Sequence, residues 1–238
     1  MTTRLDGRRP DEIRPTRITR GFSKNAAGSV LMETGGTRVL CTASVVASVP
    51  EFLVGKGKGW LTAEYNMLPG STRPRKARDR SGKVDGRNVE IQRLIGRSLR
   101  NVARLDRLGE QTLYVDCDVL DADGGTRTAS ITGAFVAAVD ALGAAAAEVF
   151  SDSVAAVSVG IVAGAAVCDL DYAEDAAAGV DMNLVLTGAG RFIEVQGCGE
   201  RVSFDRNELD AMLDLGLAGT AALRAAQRSA LGEAWRWG

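Results

Sequence analysis

The tetrapeptide Gly-Gly-Thr-Arg occurs twice, at residues 35–38 and 124–127. The first copy sits between runs rich in β-branched residues and reads as a hairpin turn. The second follows a strand-like run, Thr112–Leu120, and opens a long small-residue segment of helical character, Thr126 to Phe150. There the backbone N–H groups of Gly125, Thr126 and Arg127 can converge on one point, with the helix dipole behind them. Thr126 and Ser130 would add hydroxyls, and Arg127 a planar fork of donors. That arrangement binds phosphate or another oxyanion. Many glycine turns between strand and helix bind nothing, and both readings stay open at this point.

Asp169, Asp171, Glu174, Asp175 and Asp181 put five carboxylates into thirteen residues. Such a cluster is either a solvated acidic loop or the seat of a cation that relieves the repulsion. Oxygen ligands without His or Cys suit Mg²⁺. Asp116, Asp118, Asp121 and Asp123 form a rival cluster, with Asp116 and Asp118 on one strand face. The polar loop 70–87 carries Arg73, Arg75, Lys76, Arg78, Arg80, Lys83 and Arg87, cations dense enough to follow a nucleic-acid backbone. None of the chain's 12 aromatics lies in it, which argues against base-stacking platforms.

The 238 residues contain no histidine. A Ser-His-Asp triad, a Cys-His pair and His-ligated zinc are all excluded. The four cysteines, Cys41, Cys117, Cys168 and Cys198, are widely spaced and read as reduced thiols of a cytoplasmic protein. Residues 1–20 show no apolar leader, in keeping with that compartment. The longest uncharged run, Ser153 to Cys168, is too short to span a membrane and reads as two buried strands. The net charge of -1 conceals a division. Residues 1–107 hold 22 Lys+Arg against 10 Asp+Glu, and residues 108–238 hold 7 against 20. The basic half invites a polyanion, and the acidic half a metal or a neighbour's basic half.

These groups need elements to hold them. Residues 1–20 read as an extended basic arm. Strands are predicted at Ser29–Glu33, Arg38–Val49, Gly59–Tyr65 and Thr112–Leu120. Hairpins are predicted at Val154–Ala163 with Ala165–Asp169, and at Val180–Thr187 with Arg191–Gln196. Helices are predicted at Val89–Leu105, Thr126–Phe150 and Arg206–Leu231, the last with Asp205 or Asn207 as cap. In the first helix Arg93, Arg97, Arg100 and Arg104 form a stripe that faces solvent, RNA or an acidic subunit. The order is α+β with hairpins, a single domain over residues 1–238, and not a doubly wound sheet.

Several blocks resemble the ribonuclease PH family of tRNA-trimming phosphorolytic exoribonucleases. They include Arg4-Leu5-Asp6-Gly7-Arg8, Gly59-Trp60-Leu61-Thr62-Ala63-Glu64-Tyr65 and Glu90-Ile91-Gln92-Arg93-Leu94-Ile95-Gly96-Arg97. Ala122-Asp123-Gly124-Gly125-Thr126-Arg127-Thr128-Ala129-Ser130, Val180-Asp181-Met182-Asn183 and Glu194-Val195-Gln196-Gly197 continue the match, in order, over residues 4–231. The resemblance implies a ribosomal-protein-S5-domain-2-like fold, a mixed sheet with hairpins packed against long helices. It implies that Arg87, Gly125, Thr126 and Arg127 bind inorganic phosphate as co-substrate. It implies that Asp175 and Asp181 hold a divalent metal, Mg²⁺, as the catalytic carboxylates. Arg73, Arg75 and Arg78 would contact RNA, with tRNA precursors as substrates, and the chains would form a homohexamer, a trimer of dimers. Phosphate is an anion at neutral pH, so phosphorolysis needs no histidine base. The rivals are a catalytically inactive RNA-binding ring subunit and a hydrolytic Mg²⁺-dependent nuclease.

Overall fold

The computed structural model describes residues 4, 6–78 and 85–238. Three antiparallel strands come first: β1 (Thr16–Arg20), β2 (Gly28–Thr34) and β3 (Thr37–Val46). Next come β4 (Trp60–Met67), helix α1 (Gly86–Asn101) and β5 (Thr112–Asp121). Strand β4 runs parallel to β5 and β5 antiparallel to β3, so the sheet β1-β2-β3-β5-β4 is mixed. Helix α2 (Thr126–Leu142) and the short α3 (Ala146–Val149) lead to a second sheet. Its strands are β6 (Val154–Val162), β7 (Ala165–Cys168), β8 (Val180–Thr187) and β9 (Phe192–Gly199), in the antiparallel order β7-β6-β8-β9. Helix α4 (Tyr172–Ala177) joins β7 to β8, and α5 (Arg206–Leu231) follows β9.

Helix α2 explains its own composition. It lies against β2 and β3 on one side and β6 on the other. Thirteen of its 17 residues are buried, and small side chains let both sheets approach it. The stretch Thr126–Val149 is long and apolar enough to cross a membrane by composition, yet most of it is covered by protein. One apolar cluster runs through both sheets and α2, from Val30, Val39 and Leu113 to Phe135, Val157 and Leu184. Helix α1 buries Ile91, Leu94, Ile95 and Leu99 on the predicted face.

The structure departs from the sequence reading in four places. The arm is extended at Thr16–Arg20 as expected, but that segment is not free: it pairs with β2 as an edge strand. Helix α1 begins at Gly86, where the Asp85 side chain caps the Arg87 amide, and it ends at Asn101. The helix expected over 126–150 breaks at Gly143, whose φ is 53°. Tyr172–Ala177, expected as acidic loop, is helical behind an Asp171–Glu174 capping box. Helix α5 has its predicted bounds, capped by Asp205 and Glu208, with Asn207 inside it.

The basic and acidic halves meet within the chain. Arg4, Arg8 and Arg14 are all at least nine-tenths buried. Arg4 Nε and Nη2 each lie 2.6 Å from a carboxylate oxygen of Glu174. Arg14 donates to Asp169 from its backbone N–H (2.7 Å), Nε (3.0 Å) and Nη2 (2.7 Å). Arg8 donates to the Asp169 carbonyl at 3.0 Å and to Asp6 at 2.5 Å. The predicted arginine stripe, which runs along α1 and past its end to Arg104, is largely occupied as well. Arg97 pairs with Glu194, and Arg104 donates to the Ala147 carbonyl at 3.1 Å. Arg100 donates to the Leu61 carbonyl at 2.9 Å and stacks 5.0 Å over the Trp60 ring.

Removing one partner of a buried pair strands the other charge, at a cost of about 3–5 kcal/mol. Asp169 sits at φ 56°, a region that asparagine also tolerates. Asp169→Asn should therefore keep the backbone and lose roughly 3 kcal/mol in denaturant unfolding. Acid should weaken the neighbouring contact. Burial pushes the Glu174 carboxyl up, but the hydrogen bond and charge of Arg4 outweigh it and hold the group below its ordinary 4.5. The stabilisation is complete above that ordinary value and fades as pH falls through the lowered one. Unfolding midpoints between pH 6 and pH 3 should fall less steeply in Glu174→Gln than in the parent chain.

Candidate functional site

The turn between β5 and α2 is built on two left-handed glycines, Gly124 at φ 75° and Gly125 at φ 64°. A Cβ on Gly124 would lie 2.5 Å from the Leu170 carbonyl oxygen, so the turn is pressed against the 170–172 segment. Thr37 Oγ1 donates to the Gly124 carbonyl (2.6 Å) and accepts from the Asp123 amide (2.9 Å). Arg14, fixed by Asp169, donates to the Asp123 carbonyl. Gly125 caps α2 with no side chain, and the amides of Thr126 and Arg127 have no protein acceptor among the described residues. The helix therefore opens with free donors, as an oxyanion site requires.

The side chains around this turn divide into those that serve it and those that do not. Ser130, expected to contribute a hydroxyl, is fully buried and donates back to the Thr126 carbonyl at 2.8 Å, so it is withdrawn from the site. The Thr126 hydroxyl lies 2.9 Å from the phenol oxygen of Tyr65. Arg127 is held from one side, its Nη1 donating to Gln196 Oε1 at 3.2 Å. Gln196 Nε2 in turn donates to Glu90 Oε1 at 2.9 Å, and Glu90 lies 3.6 Å from the Arg127 guanidinium. The rest of the Arg127 fork has no partner among the described residues. Arg87, one residue inside α1, is exposed, and its guanidinium has no partner among the described residues.

The five-carboxylate cluster separates into two groups. Asp169 and Glu174 belong to the arm's arginines, and Asp171 caps α4 with its carboxylate on the Glu174 amide at 2.8 Å. Asp175 and Asp181 remain, without a side-chain hydrogen bond or ion pair among the described residues. Surrounding protein pushes the Asp175 carboxyl above the usual range; Arg87 and Arg127 pull it back, and Glu200 adds to the rise. Asp181 is pushed up by burial, then by Asp175 and Glu200, with Arg127 and Arg87 again offsetting part. Two aspartates and two arginines thus share one field at the mouth of α2. Among the described residues no group of three or more His, Cys, Asp or Glu is placed to enclose a metal. An uncompensated pair of hard oxygen donors beside an anion site fits Mg²⁺, which commonly takes one or two carboxylates and completes its shell with water and substrate phosphate oxygens.

Arg73, Arg75 and Arg78 are exposed, with no partner among the described residues, whereas Lys76 is tied to Asp85 at 2.7 Å. Arg80 and Lys83 lie outside the described residues. The rival cluster is separate from this site. Asp116 and Asp118 face outward on β5 beside Glu64; burial and then the charge of Glu64 raise both carboxyl groups, and Asp118 adds to the rise at Asp116. Sequence reasoning missed Tyr65, Glu90, Gln196 and Glu200. Tyr65 alone carried a signal, a polar-tipped residue at an inward position of the strand 59–65.

Comparison with known proteins shows the family of the chain. Residues 12–142 match the family model for domain 1 of the 3′ exoribonuclease family, and residues 152–219 match that for its domain 2. Ribonuclease PH of Rhodopirellula baltica is 55% identical over 243 residues, covering 97% of this chain and 99% of that one. Among solved structures, rice Rrp46 is similar with a TM-score of 0.79 at 20% identity, over 96% of this chain and 100% of its own. An Archaeoglobus fulgidus exosome with RNA bound to the active site gives 0.77 at 22%, over 93% and 91% of the two chains. At those identities the structural likeness shows the fold, which is the one the sequence motifs imply.

The raised carboxyl groups give a test that needs no turnover. A carboxylate whose folded value lies above its ordinary one is a net cost to the folded state once ionised. At neutral pH without metal, Asp175→Asn and Asp181→Asn should melt at or above the temperature of the parent chain. Millimolar Mg²⁺ should raise the melting temperature of the parent and leave both variants unmoved. Equal Mg²⁺ shifts in all three would place the metal elsewhere.

Proposed function

The chain belongs to the 3′ exoribonuclease family and is a phosphate-dependent exoribonuclease of the nucleotidyltransferase type; we propose that it trims the 3′ ends of tRNA precursors by the site at the start of α2. The observation that carries this reading is the convergence of Arg87, Arg127 and the free α2 amides with two unpaired aspartates. Phosphate would sit on the amides of Thr126 and Arg127, between the two guanidinium groups. Both arginines offer planar forks that match its oxygens. Held there, one phosphate oxygen attacks the phosphorus of the last phosphodiester in line. The P–O bond to the preceding 3′ oxygen breaks, releasing a nucleoside 5′-diphosphate and leaving the RNA one residue shorter with a 3′ hydroxyl. Asp175 and Asp181 would hold Mg²⁺, which when bound supplies neutralisation of charge on the transferring phosphoryl group. The reverse reaction, addition of a nucleotide from its diphosphate, uses the same groups.

Arg73, Arg75 and Arg78 are exposed cations and would contact the RNA backbone. Retention of both arginines and both aspartates speaks against an inactive ring subunit. The cytoplasm as compartment belongs to the same reading. Incubation of a tRNA precursor with and without phosphate separates phosphorolysis from hydrolysis: diphosphates released only with phosphate are expected, and monophosphates released without it would overturn the reading. Arg127→Ala and Arg87→Ala should each raise the phosphate concentration needed for half-maximal rate by at least tenfold, while RNA affinity changes little.

We also propose a homohexameric ring. Supporting it is the open face of the first sheet, where Glu64, Asp116 and Asp118 have no ion-pair partner among the described residues and Tyr114 is exposed. A basic surface of another copy set against this face would relieve the repulsion. Sedimentation at micromolar concentration should give a hexamer at low salt and smaller species as salt rises. A stable monomer at low salt would exclude the ring.

A further inference from the structure

We propose that Tyr65 is a positioning residue for the phosphate co-substrate, its phenol O–H donating to Thr126 Oγ1 and so turning the Thr126 hydroxyl proton toward a phosphate oxygen. This rests on the reading that phosphate occupies the start of α2. Tyr65 lies near the end of β4, 3% exposed, and Thr126 is the first residue of α2, 9% exposed. Their oxygens are 2.9 Å apart, and either could be the donor.

The inventory of donors and acceptors decides between the two directions. A hydroxyl has one proton to give and can accept as well. The Tyr65 phenol has Thr126 as its only hydrogen-bond partner among the described residues. If Thr126 donated, the buried Tyr65 proton would have no acceptor, which costs about 1–3 kcal/mol. The Thr126 oxygen would also turn a lone pair toward the bound anion. If Tyr65 donates, its proton is satisfied and the Thr126 proton is free for the anion. Every group facing the phosphate is then a donor: two backbone amides, two guanidinium groups and one hydroxyl. Each hydrogen bond in such a chain also polarises the next. The positive field of Arg87 and Arg127 reaches the Tyr65 phenol, placing the phenol beside the same cradle.

The test reads phosphorolysis against phosphate concentration. Tyr65→Phe removes one oxygen atom from a packed site. It should raise KM for phosphate roughly tenfold, with kcat at saturating phosphate and KM for RNA within about twofold. In the reverse reaction KM for the nucleoside diphosphate should rise by a similar factor, since its terminal phosphate uses the same cradle. Thr126→Val should raise KM for phosphate as well, and on that background Tyr65→Phe should add nothing, because Tyr65 acts through Thr126. A second measurement guards against misfolding: a fluorinated tyrosine at position 65, a stronger donor with the same shape, should lower KM for phosphate. An unchanged KM in Tyr65→Phe, full multiplication of its effect on the Thr126→Val background, or a raised KM with the fluorinated residue would each overturn the proposal. A parent enzyme whose rate ignores phosphate would instead overturn the phosphorolytic reading, and this proposal with it.

Discussion

The buried contact between Arg14 and Asp169 is the constraint on which the site depends. Three donors of one arginine meet one carboxylate, and the same guanidinium reaches the carbonyl of Asp123 at the glycine turn. The pair therefore joins three segments distant in sequence: the arm, the turn before α2 and the exit of β7. Two buried charges are expensive to desolvate, and only good geometry offsets the cost. The return here is orientation. With the turn carbonyls directed at Arg14 and Thr37, the amides on its other side are left to face an incoming anion.

The same pairing sets the charge of the acidic segment. Arg4 and Arg14 neutralise Glu174 and Asp169, and Asp171 is spent on a helix cap, so a cluster of five becomes a working pair. Asp175 and Asp181 keep their carboxylates unpaired among the described residues, within the field of two arginines. A site where Arg87 and Arg127 are set against Asp175, Asp181 and Glu200 has little net pull on an anion. It suits a reaction that brings in an anion and a divalent cation together, each compensating the other.

Much of this was legible because it is local. Hairpins with glycine between β-branched runs declare themselves over a dozen residues, and the pattern of α5 repeats over seven turns with its cap in place. The phosphate turn is contiguous, so glycine, threonine and arginine could be read side by side. Strand β1 was hidden because an edge strand with half-exposed residues shows no alternation of polarity, its burial being intermediate or exposed throughout. Helix α4 has six residues, too few to display a period. The partition of the acidic cluster could not be seen at all, since its deciding partners lie some 155 to 170 positions away. Tyr65, Glu90 and Gln196 reach the site from three separate elements, and only the folded chain brings them together.

The distance between the arm and its partners also bears on synthesis. Arg4 leaves the ribosome 170 residues before Glu174. At roughly 5–20 residues per second that interval is on the order of ten to thirty seconds. Throughout it, Arg4 and Arg14 lack their carboxylate partners Glu174 and Asp169. The first sheet can form during this time, but the turn before α2 stays without its brace until the second sheet emerges. The turn that opens α2 is therefore braced only after residue 169 of the 238 has been added, a delay built into the order of its residues.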